Sequence, residues 1–407
     1  MDDLTSADLQ ELLDEQAVEN VRLEFKLERP DKDETLKKLS SFANTFDGYL
    51  IIGAKANSAD GVLTELPVIV EPRGFKQQIV QWCYDAASPP IELFVSPPIP
   101  APSDATKVCY VIYVPESEEA PHFLNSRKGV YIRTDEFSQR FQALLATYDE
   151  IQHLANRRAA TVERKERLIK RAEERFDVFV TMKNDPNQPG YTGAPKATLK
   201  LAISPLFPSR ILLSQGKLLS LIQNTRVSWR GTTFPLVTTS PLSQHESALI
   251  LEADGQTYTL LEANVWGLLF YVCEIELELS VGSNQTAKAK GIHLYALLGR
   301  LLVFLEHAHQ SYGAMGYDGT LEMRVALERM RGIPFLYSSF GNFIDEGPSS
   351  QLDDKISFVL SFPSSRLQTN RDAIAADLLR VLFFAVNWPA MVDQDERINA
   401  LLVLDHS

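Results

Sequence analysis

The sequence predicts a fold between the α/β and α+β classes, with two globular domains joined by a long helix. Its 407 residues are 45% hydrophobic, which is enough for two or three separate cores. Strand-like and helix-like patterns alternate over the first third of the chain and again beyond residue 196. Between them lies a stretch with helical spacing and many cations. We therefore expect domains at residues 1–134 and 196–407, a helix at 135–183 and a linker at 184–195.

The first domain is predicted to be a compact mixed α/β unit. Short alternating or wholly apolar runs indicate strands, and apolar residues three or four positions apart indicate helices. The aspartate-glycine pair at 60–61 is typical of a hairpin turn. The predicted elements are helices at Leu4–Val18, at 33–47 and at Phe75–Ala86, and strands at Val21–Phe25, Tyr49–Ile52, Ile91–Val95, Val108–Val114 and Val130–Ile132.

The connecting segment is predicted to be one helix with an apolar seam and a basic surface. The seam residues step by four and three positions, as in a heptad repeat: Phe137, Phe141, Leu144, Tyr148, Ile151 and Ala155. Such a seam favours either a homodimer through residues 137–155 or packing on the chain's own C-terminal domain. The basic residues that follow are Arg157, Arg158, Arg164, Lys165, Arg167, Lys170, Arg171 and Arg175.

The second domain, from Lys196 onward, is predicted to be α+β. One helix, Gly291–His309, is apolar on most sides and is therefore expected at the domain's centre. The other predicted elements are strands at Ala197–Ile203, Ser247–Leu251, Thr257–Leu261, Val272–Leu279, Leu321–Leu327 and Ile356–Phe362, and a helix at Arg371–Val386.

Composition narrows the class of protein. Three scattered cysteines without a CxxC pair argue against a disulfide framework or a zinc ribbon and favour a cytoplasmic location. No apolar run reaches the roughly 18 residues of a membrane span, and we expect no signal peptide. The net charge of −13 argues against a general coating of DNA, so a nucleic-acid contact would need a local basic patch. No Walker motif is present, which argues against ATP as a cofactor.

Five ordered motifs carry a more specific signal. The first is Glu19 followed by the strand Glu24-Phe25-Lys26. It is followed by Phe42-Ala43-Asn44-Thr45 and by the run from Gly48 to Gly53. Pro121-His122 and Tyr131-Ile132-Arg133 close the series. In order and spacing the series resembles the Schlafen AlbA-type domain, also described as a putative DNA-binding or divergent Alba domain.

The resemblance implies a metal site in one branch of the family. Glu19 and Glu24 correspond to two of the three carboxylates that hold a divalent metal in the Schlafen nucleases. Mg²⁺ or Mn²⁺ prefers such oxygen ligands and can activate water for phosphodiester cleavage. The third position is Ala56 here, and Asp60 is either a replacement ligand or simply the turn residue of the hairpin.

Other residues of the series have structural interpretations from the sequence. Asn44 is expected to adopt the left-handed turn at a helix end, and Gly48 and Gly53 to let the backbone turn at both ends of a strand. Arg133 is either a phosphate contact or an ion-pair partner.

We therefore predict a protein that binds RNA or single-stranded DNA. The expected contacts are Lys26, Arg133, Arg164, Lys165, Arg167 and Arg171. One alternative is a metal-dependent endonuclease using Glu19, Glu24 and Asp60. A second alternative is a regulatory or interaction protein whose C-terminal domain senses a partner.

Overall fold

The structure is a computed structural model of the full chain. It describes residues 4–28, 31–66, 69–70, 74–100, 107–134, 142–186, 196–229, 232–235, 243–245, 247–254, 258–281, 287–338, 344–386 and 388. The chain forms two compact units, Met1–Ala160 and Thr161–Ser407. None of the helices in these ranges is both long and apolar enough to cross a bilayer.

The N-terminal unit contains helices α1 to α3 and strands β1 to β12. The elements in chain order are α1 (Ser6–Asp14), β1 (Leu23–Lys26), α2 (Lys32–Thr45), β2 (Gly48–Ile52), β3 (Lys55–Ala56), β4 (Leu63–Glu65), β5 (Ile69–Val70), α3 (Phe75–Ala86), β6 (Ala87–Ser88), β7 (Phe94–Val95), β8 (Ile99–Pro100), β9 (Lys107–Val114), β10 (Phe123–Leu124), β11 (Gly129–Ile132) and β12 (Leu144–Leu145). Helix α4 (Tyr148–Lys183) begins in this unit and continues into the next.

The main sheet of this unit has β2 at its centre and β1 at one edge. Strand β1 pairs in parallel with β2, and β2 pairs antiparallel with β9, which also pairs with β5, β7 and β8. Alternation of side chains gives the sheet two packed faces. One face packs Leu50 and Ile112 against α2 and α3, and the other packs Ile51 and Val111 against α1. Strands β12, β11, β10 and β6 form a second sheet within the described ranges.

The C-terminal unit begins with the second half of α4. Its further elements are β13 (Thr198–Pro205), α5 (Gln215–Asn224), β14 (Val227–Trp229), β15 (Thr232–Phe234), β16 (Ser243–Gln244), β17 (Ala248–Asp254), β18 (Thr259–Asn264), β19 (Leu269–Glu274), β20 (Glu276–Val281), β21 (Ala287–His293), α6 (Leu294–Met315), β22 (Thr320–Glu328), β23 (Pro334–Ser338), β24 (Ile344–Ser349), β25 (Lys355–Pro363), α7 (Ser365–Thr369) and α8 (Arg371–Ala385).

A large antiparallel sheet with helices on both faces organises this unit. As far as the chain is described, its strand order is β16-β17-β18-β19-β13-β22-β25. One face packs against α5, α6 and α8 in the largest hydrophobic core, and α6 is buried along most of its length. The other face packs against Leu168, Ile169, Ala172, Phe176 and Phe179 of α4. The predicted fold class is therefore confirmed for both halves.

Several predicted elements are wrong in their bounds. The strand predicted at Val272–Leu279 covers the end of β19 and part of β20, and the helix predicted at Leu4–Val18 ends at Asp14. Two further differences have a common cause. The long helix begins at Tyr148, because Leu144 and Leu145 form β12 and pair with Ile132 and Tyr131. Residues 135–141, which include the first two positions of the predicted seam, lie outside the described residues. The central apolar helix begins at Leu294, because residues 291–293 complete a strand. In both cases the residues have a spacing that also fits a helix, but in the structure they pair in a strand.

Candidate nucleic-acid interface

A buried carboxylate lies at the edge strand of the N-terminal sheet. Glu24 on β1 is 6% exposed and points to the same side of the sheet as α2. Arg133, Lys38 and Lys26 surround it: Arg133 donates to Oε2, Lys38 pairs with Oε1, and the Nζ of Lys26 lies 3.0 Å from Oε1. We call Glu24, Lys26, Lys38 and Arg133 the Glu24 cluster.

Arg133 is the most deeply buried cation of the Glu24 cluster. It follows β11 directly and is 2% exposed. Its Nε donates to Ser41 Oγ at 3.3 Å and its Nη1 to the carbonyl of Asn20 at 3.1 Å. The guanidinium lies 4.1 Å from the ring centroid of Phe42, a cation–π contact. Arg133 thus joins β11, α2 and the segment before β1, and has no free face for a phosphate.

The contacts within the Glu24 cluster shift the pKa values of its members. Burial by itself would raise the pKa of Glu24, but the charges of Arg133, Lys38 and Lys26 lower it to about 2. Burial lowers the pKa of Lys38, and the neighbouring charges of Lys26 and Arg133 lower it further, against the opposite effect of Glu24. Burial by itself would lower the pKa of Lys26, but the negative charges of Glu24 and then Glu19 raise it above its usual value. Of the two lysines, Lys38 therefore has the less favourable charged form, because its pKa is lowered whereas that of Lys26 is raised.

Helix α2 is held in position by Asn44. This residue is fully buried in the last turn of the helix. Its side chain accepts from the backbone N–H of His122 at 2.7 Å and donates to the carbonyl of Tyr131 at 2.8 Å. The predicted left-handed turn at Asn44 is wrong: the helix continues to Thr45, and the amide instead fixes α2 to the strand that leads into Arg133.

The two glycines of the series have different roles. Gly53 has a φ of +95°, so the expected turn after β2 is confirmed. A Cβ at Gly48 would lie 2.0 Å from the ring of Phe42, so this glycine serves close packing. Phe42 is the same ring that lies beneath Arg133, so the glycine also allows the position of that guanidinium.

The other predicted metal ligands already have hydrogen bonds within the protein. Glu19 Oε1 accepts from the backbone N–H of Phe25 at 2.9 Å, and Asp60 Oδ1 accepts from the N–H of Val62 at 3.1 Å. The hairpin around Asp60 lies against Glu19, since the Glu19 N–H donates to the carbonyl of Gly61 at 2.9 Å. Asp60 is thus placed as the turn residue of the hairpin.

These side chains do not fit a divalent metal as arranged. Both oxygens of Glu24 are occupied by cations, and the third family position, Ala56, offers no oxygen. Nowhere in the described ranges do three histidine, cysteine, aspartate or glutamate side chains group as a metal site would require. The use of Glu19 and Glu24 with Mg²⁺ or Mn²⁺ stays a prediction, and it would require the ion pairs of Glu24 to open.

The predicted contacts on α4 fall into two groups. Lys165 is 4% exposed and pairs with Glu322 at 2.6 Å. Arg164 donates to the carbonyl of Pro208 at 2.6 Å and lies 4.1 Å from the ring of Trp266. Arg167 and Arg171 are exposed. Only this second pair presents its charge to solvent, so phosphate contact by α4 stays a prediction for Arg167 and Arg171.

The apolar side of α4 near its beginning is used within the N-terminal unit. Leu154 is 5% exposed and packs with Ile151 against Val130, Ile132 and Ala146. This differs from the expectation that the seam packs on the C-terminal domain, since Ile151 of the seam lies against strand residues of the N-terminal unit. A homodimer through residues 137–155 stays a prediction, but Ile151, one of its seam residues, is already half-buried against this core.

Sequence reasoning missed Lys38. It lies on α2, fourteen positions after Glu24, and only the packing of that helix on the sheet brings the two side chains together. A polar residue between Leu36 and Leu39 on the buried side of a helix was the available signal.

Residues 19–142 match a protein-family model described as Schlafen, AlbA_2. The matched range contains all four residues of the Glu24 cluster, and it confirms the resemblance seen in the five sequence motifs. Comparison with curated proteins and comparison with solved structures each gave no match. The Schlafen AlbA_2 description points to a nucleic-acid-related function for this part of the chain. The first third of the chain is therefore similar to the Schlafen AlbA_2 domain family.

Proposed function

We propose that the N-terminal unit binds RNA or single-stranded DNA, with Lys26 and Lys38 contacting the phosphate backbone beside Glu24. One observation carries the proposal: three cationic side chains from three elements converge on one buried carboxylate. Even with Glu19 included, this leaves more positive than negative charge. A phosphate at the open side of the cluster would balance that excess.

Exposure indicates which members of the Glu24 cluster can reach a ligand. The side chain of Lys26 is 33% exposed and that of Lys38 is 16% exposed, whereas that of Arg133 is 1% exposed. A lysine ammonium has three donors, so each can keep its contact with Glu24 and still donate to a phosphate oxygen. Arg133 would then position Glu24, and Glu24 would position the two lysines.

The lowered pKa of Lys38 supports this assignment. Burial and the nearby cations make its charged form costly in the free protein. An anion bound beside it would offset the cost, since an opposite charge within a few ångströms favours the charged form. The site is a local cationic patch on an acidic chain of net charge −13, which favours a confined contact over general coating of DNA.

The test is a binding titration with labelled RNA, single-stranded DNA and double-stranded DNA of equal length, in EDTA and at several salt concentrations. Lys26→Met should weaken binding and reduce the slope of log affinity against log salt by about 0.7 to 0.9, the value for one lost phosphate contact. Lys26→Met with Lys38→Met should reduce it further. Circular dichroism and thermal unfolding establish that each variant is folded.

Lys55→Met is the matched control. Lys55 lies on β3, is 46% exposed at its side chain and pairs with Glu65 at 2.8 Å, so the substitution removes the same charge from the same unit. We expect its affinity and salt slope to equal those of the wild type. If a folded Lys26→Met protein also matches the wild type in both, the Glu24 cluster is not the binding site.

A further inference from the structure

Three aromatic rings form a row across neighbouring strands of the N-terminal sheet. Tyr49 on β2 lies opposite Tyr113 on β9, and Tyr113 lies opposite Phe94 on β7. The ring centroids of Tyr49 and Tyr113 are 4.8 Å apart with planes 33° apart, and those of Phe94 and Tyr113 are 6.3 Å apart with planes 24° apart. We call Tyr49, Tyr113 and Phe94 the aromatic row.

The aromatic row lies at the open end of a face that is otherwise covered. On the same face Ile51 and Val111 are buried with Leu9 of α1 and Leu63 of β4. Tyr49 is 40% exposed, and the other two rings are half-buried. Rings that only sealed a core would be covered as their neighbours are, so the row offers aromatic surface to a ligand.

Arg22 precedes β1, and its backbone is paired with that of Tyr49. The carbonyl of Arg22 accepts the backbone N–H of Tyr49 at 2.7 Å, which fixes the two residues side by side. The Arg22 side chain is 57% exposed, pairs with Asp47 at 2.6 Å and lies 5.8 Å from the ring of Phe46. Exposed aromatic rings match a ligand with flat rings, and an exposed arginine on the neighbouring residue, whose surface pair with Asp47 can exchange for a phosphate, matches an anionic backbone.

We propose that the aromatic row is a stacking surface for the unpaired bases of single-stranded nucleic acid, with Arg22 available to an adjacent phosphate. Aromatic side chains on the surface of a sheet stack bases of any identity, because every base has a π face. The proposal rests on the proposed function and names its substrate class: a strand whose bases are free, rather than a duplex.

The aromatic row and the Glu24 cluster can be tested separately. Leu23 is the register partner of Tyr49, and the next residue, Glu24, is the register partner of Leu50, which packs against α2 and α3. Because side chains alternate along a strand, the row and the cluster lie on opposite faces of the sheet at its β1 edge. A substitution in one surface therefore leaves the side chains of the other in place.

The experiment compares a labelled 20-nucleotide single strand with an abasic strand of the same length and charge. We expect the wild type to bind the strand with bases more tightly. Tyr49→Leu keeps apolar volume but removes the ring, and it should weaken binding of the strand with bases about 5- to 150-fold, the range measured for loss of one stacked base. It should leave the abasic affinity and the salt slope unchanged, and Tyr49→Phe should retain wild-type affinity.

Tyr84→Leu is the control, since Tyr84 is a 69% exposed tyrosine on α3, away from the row. Equal binding of both strands by the wild type would overturn the stacking proposal while the phosphate contact at the Glu24 cluster stands. Absence of binding to either strand would overturn both proposals. Unchanged affinity in Tyr49→Leu, with loss of self-association in light scattering, would assign the row to a protein contact and overturn it as a base site.

Discussion

Arg133 and Glu24 lie 109 positions apart in the chain, and their side chains form an ion pair buried inside the N-terminal unit. The pair joins the end of β11 to the edge strand β1, and it fixes the carboxylate that holds Lys26 and Lys38. Stability and the proposed binding therefore depend on the same residues.

Arg133→Met should destabilise the protein strongly. The change leaves Glu24 Oε2 and Ser41 Oγ without this buried donor, which costs about 1–3 kcal/mol for each acceptor left unsatisfied, although Lys26 and Lys38 still pair with Oε1. The measurement is the free energy of unfolding from urea denaturation. Arg22→Met is the control: its pair with Asp47 is at the surface, with side chains 57% and 31% exposed, and should cost at most about 1 kcal/mol. Equal losses in the two variants would contradict a structural role for the buried pair.

Acid should destabilise both units before the carboxylates titrate. Burial lowers the pKa of His122 and of His307 from 6.5 to about 4, and the Nε2 of each is buried with no hydrogen-bond partner among the described residues. A histidine whose pKa is depressed in the folded state contributes stability that is fully present above pH 6.5 and is lost as the pH falls toward 4. The urea midpoint should therefore decrease over this window. The stability that Glu24 contributes is fully present above pH 4.5 and is lost only at lower pH, as the pH falls from 4.5 through about 2.

Replacing both histidines with glutamine should flatten the pH dependence between 6.5 and 4. Glutamine does not titrate, so these two positions take up no proton in this range. An unchanged slope in the folded double variant would assign the acid sensitivity to other groups.

The basic residues of α4 should separate into structural and binding groups. Lys165→Met should lower the free energy of unfolding by about 1–3 kcal/mol, because it leaves Oε2 of Glu322 without its buried donor while Arg324 still pairs with Oε1. Arg167→Glu with Arg171→Glu should leave stability within about 1 kcal/mol, since both side chains are exposed. If α4 contributes phosphate contacts, this double variant should also lower the salt slope of binding by about 0.7 to 0.9 per lost contact. Wild-type affinity and slope in the double variant would exclude α4 from the interface.

Wild-type protein should bind nucleic acid without cutting it at the Glu24 cluster. Both oxygens of Glu24 are held by cations, and Ala56 stands where the family has a third carboxylate, so Mn²⁺ should not produce cleavage above an EDTA control. The assay follows labelled RNA and single-stranded DNA over hours on a denaturing gel. Cleavage that requires Mn²⁺ and disappears in Glu24→Gln would show that the ion pairs open and that the endonuclease alternative is correct.

The protein should be a monomer at micromolar concentration. Leu154 and Ile151 pack inside the N-terminal unit, so the start of α4 has fewer apolar residues to offer a second copy. Light scattering gives the mass directly. A dimer that dissociates on Tyr148→Glu, at a residue that is 77% exposed, would support the seam instead.

Local patterns were sufficient for much of the fold. Periodicity placed α3 at Phe75–Ala86, and the apolar runs placed β2, β9 and β11 within one or two residues, because each pattern matches one backbone geometry. The Asp60-Gly61 turn follows from the positive φ that glycine accepts, +75° here. The spacing of apolar residues gave a wrong prediction at Leu144 and Leu145, where it fits a helix as well as a strand. Pairing with β11 decides that these two residues form a strand.

The sequence by itself determined the fold class, the family of the first domain and the identity of Glu24, Lys26 and Arg133 as notable residues. Tertiary structure alone decided which partners those residues have. It added Lys38, buried Arg133, and set Tyr49, Tyr113 and Phe94 side by side although the sequence separates them by 19 to 64 positions. A spacing pattern reports only which residues share one face of one element, and partners that come from different elements are fixed by how those elements pack.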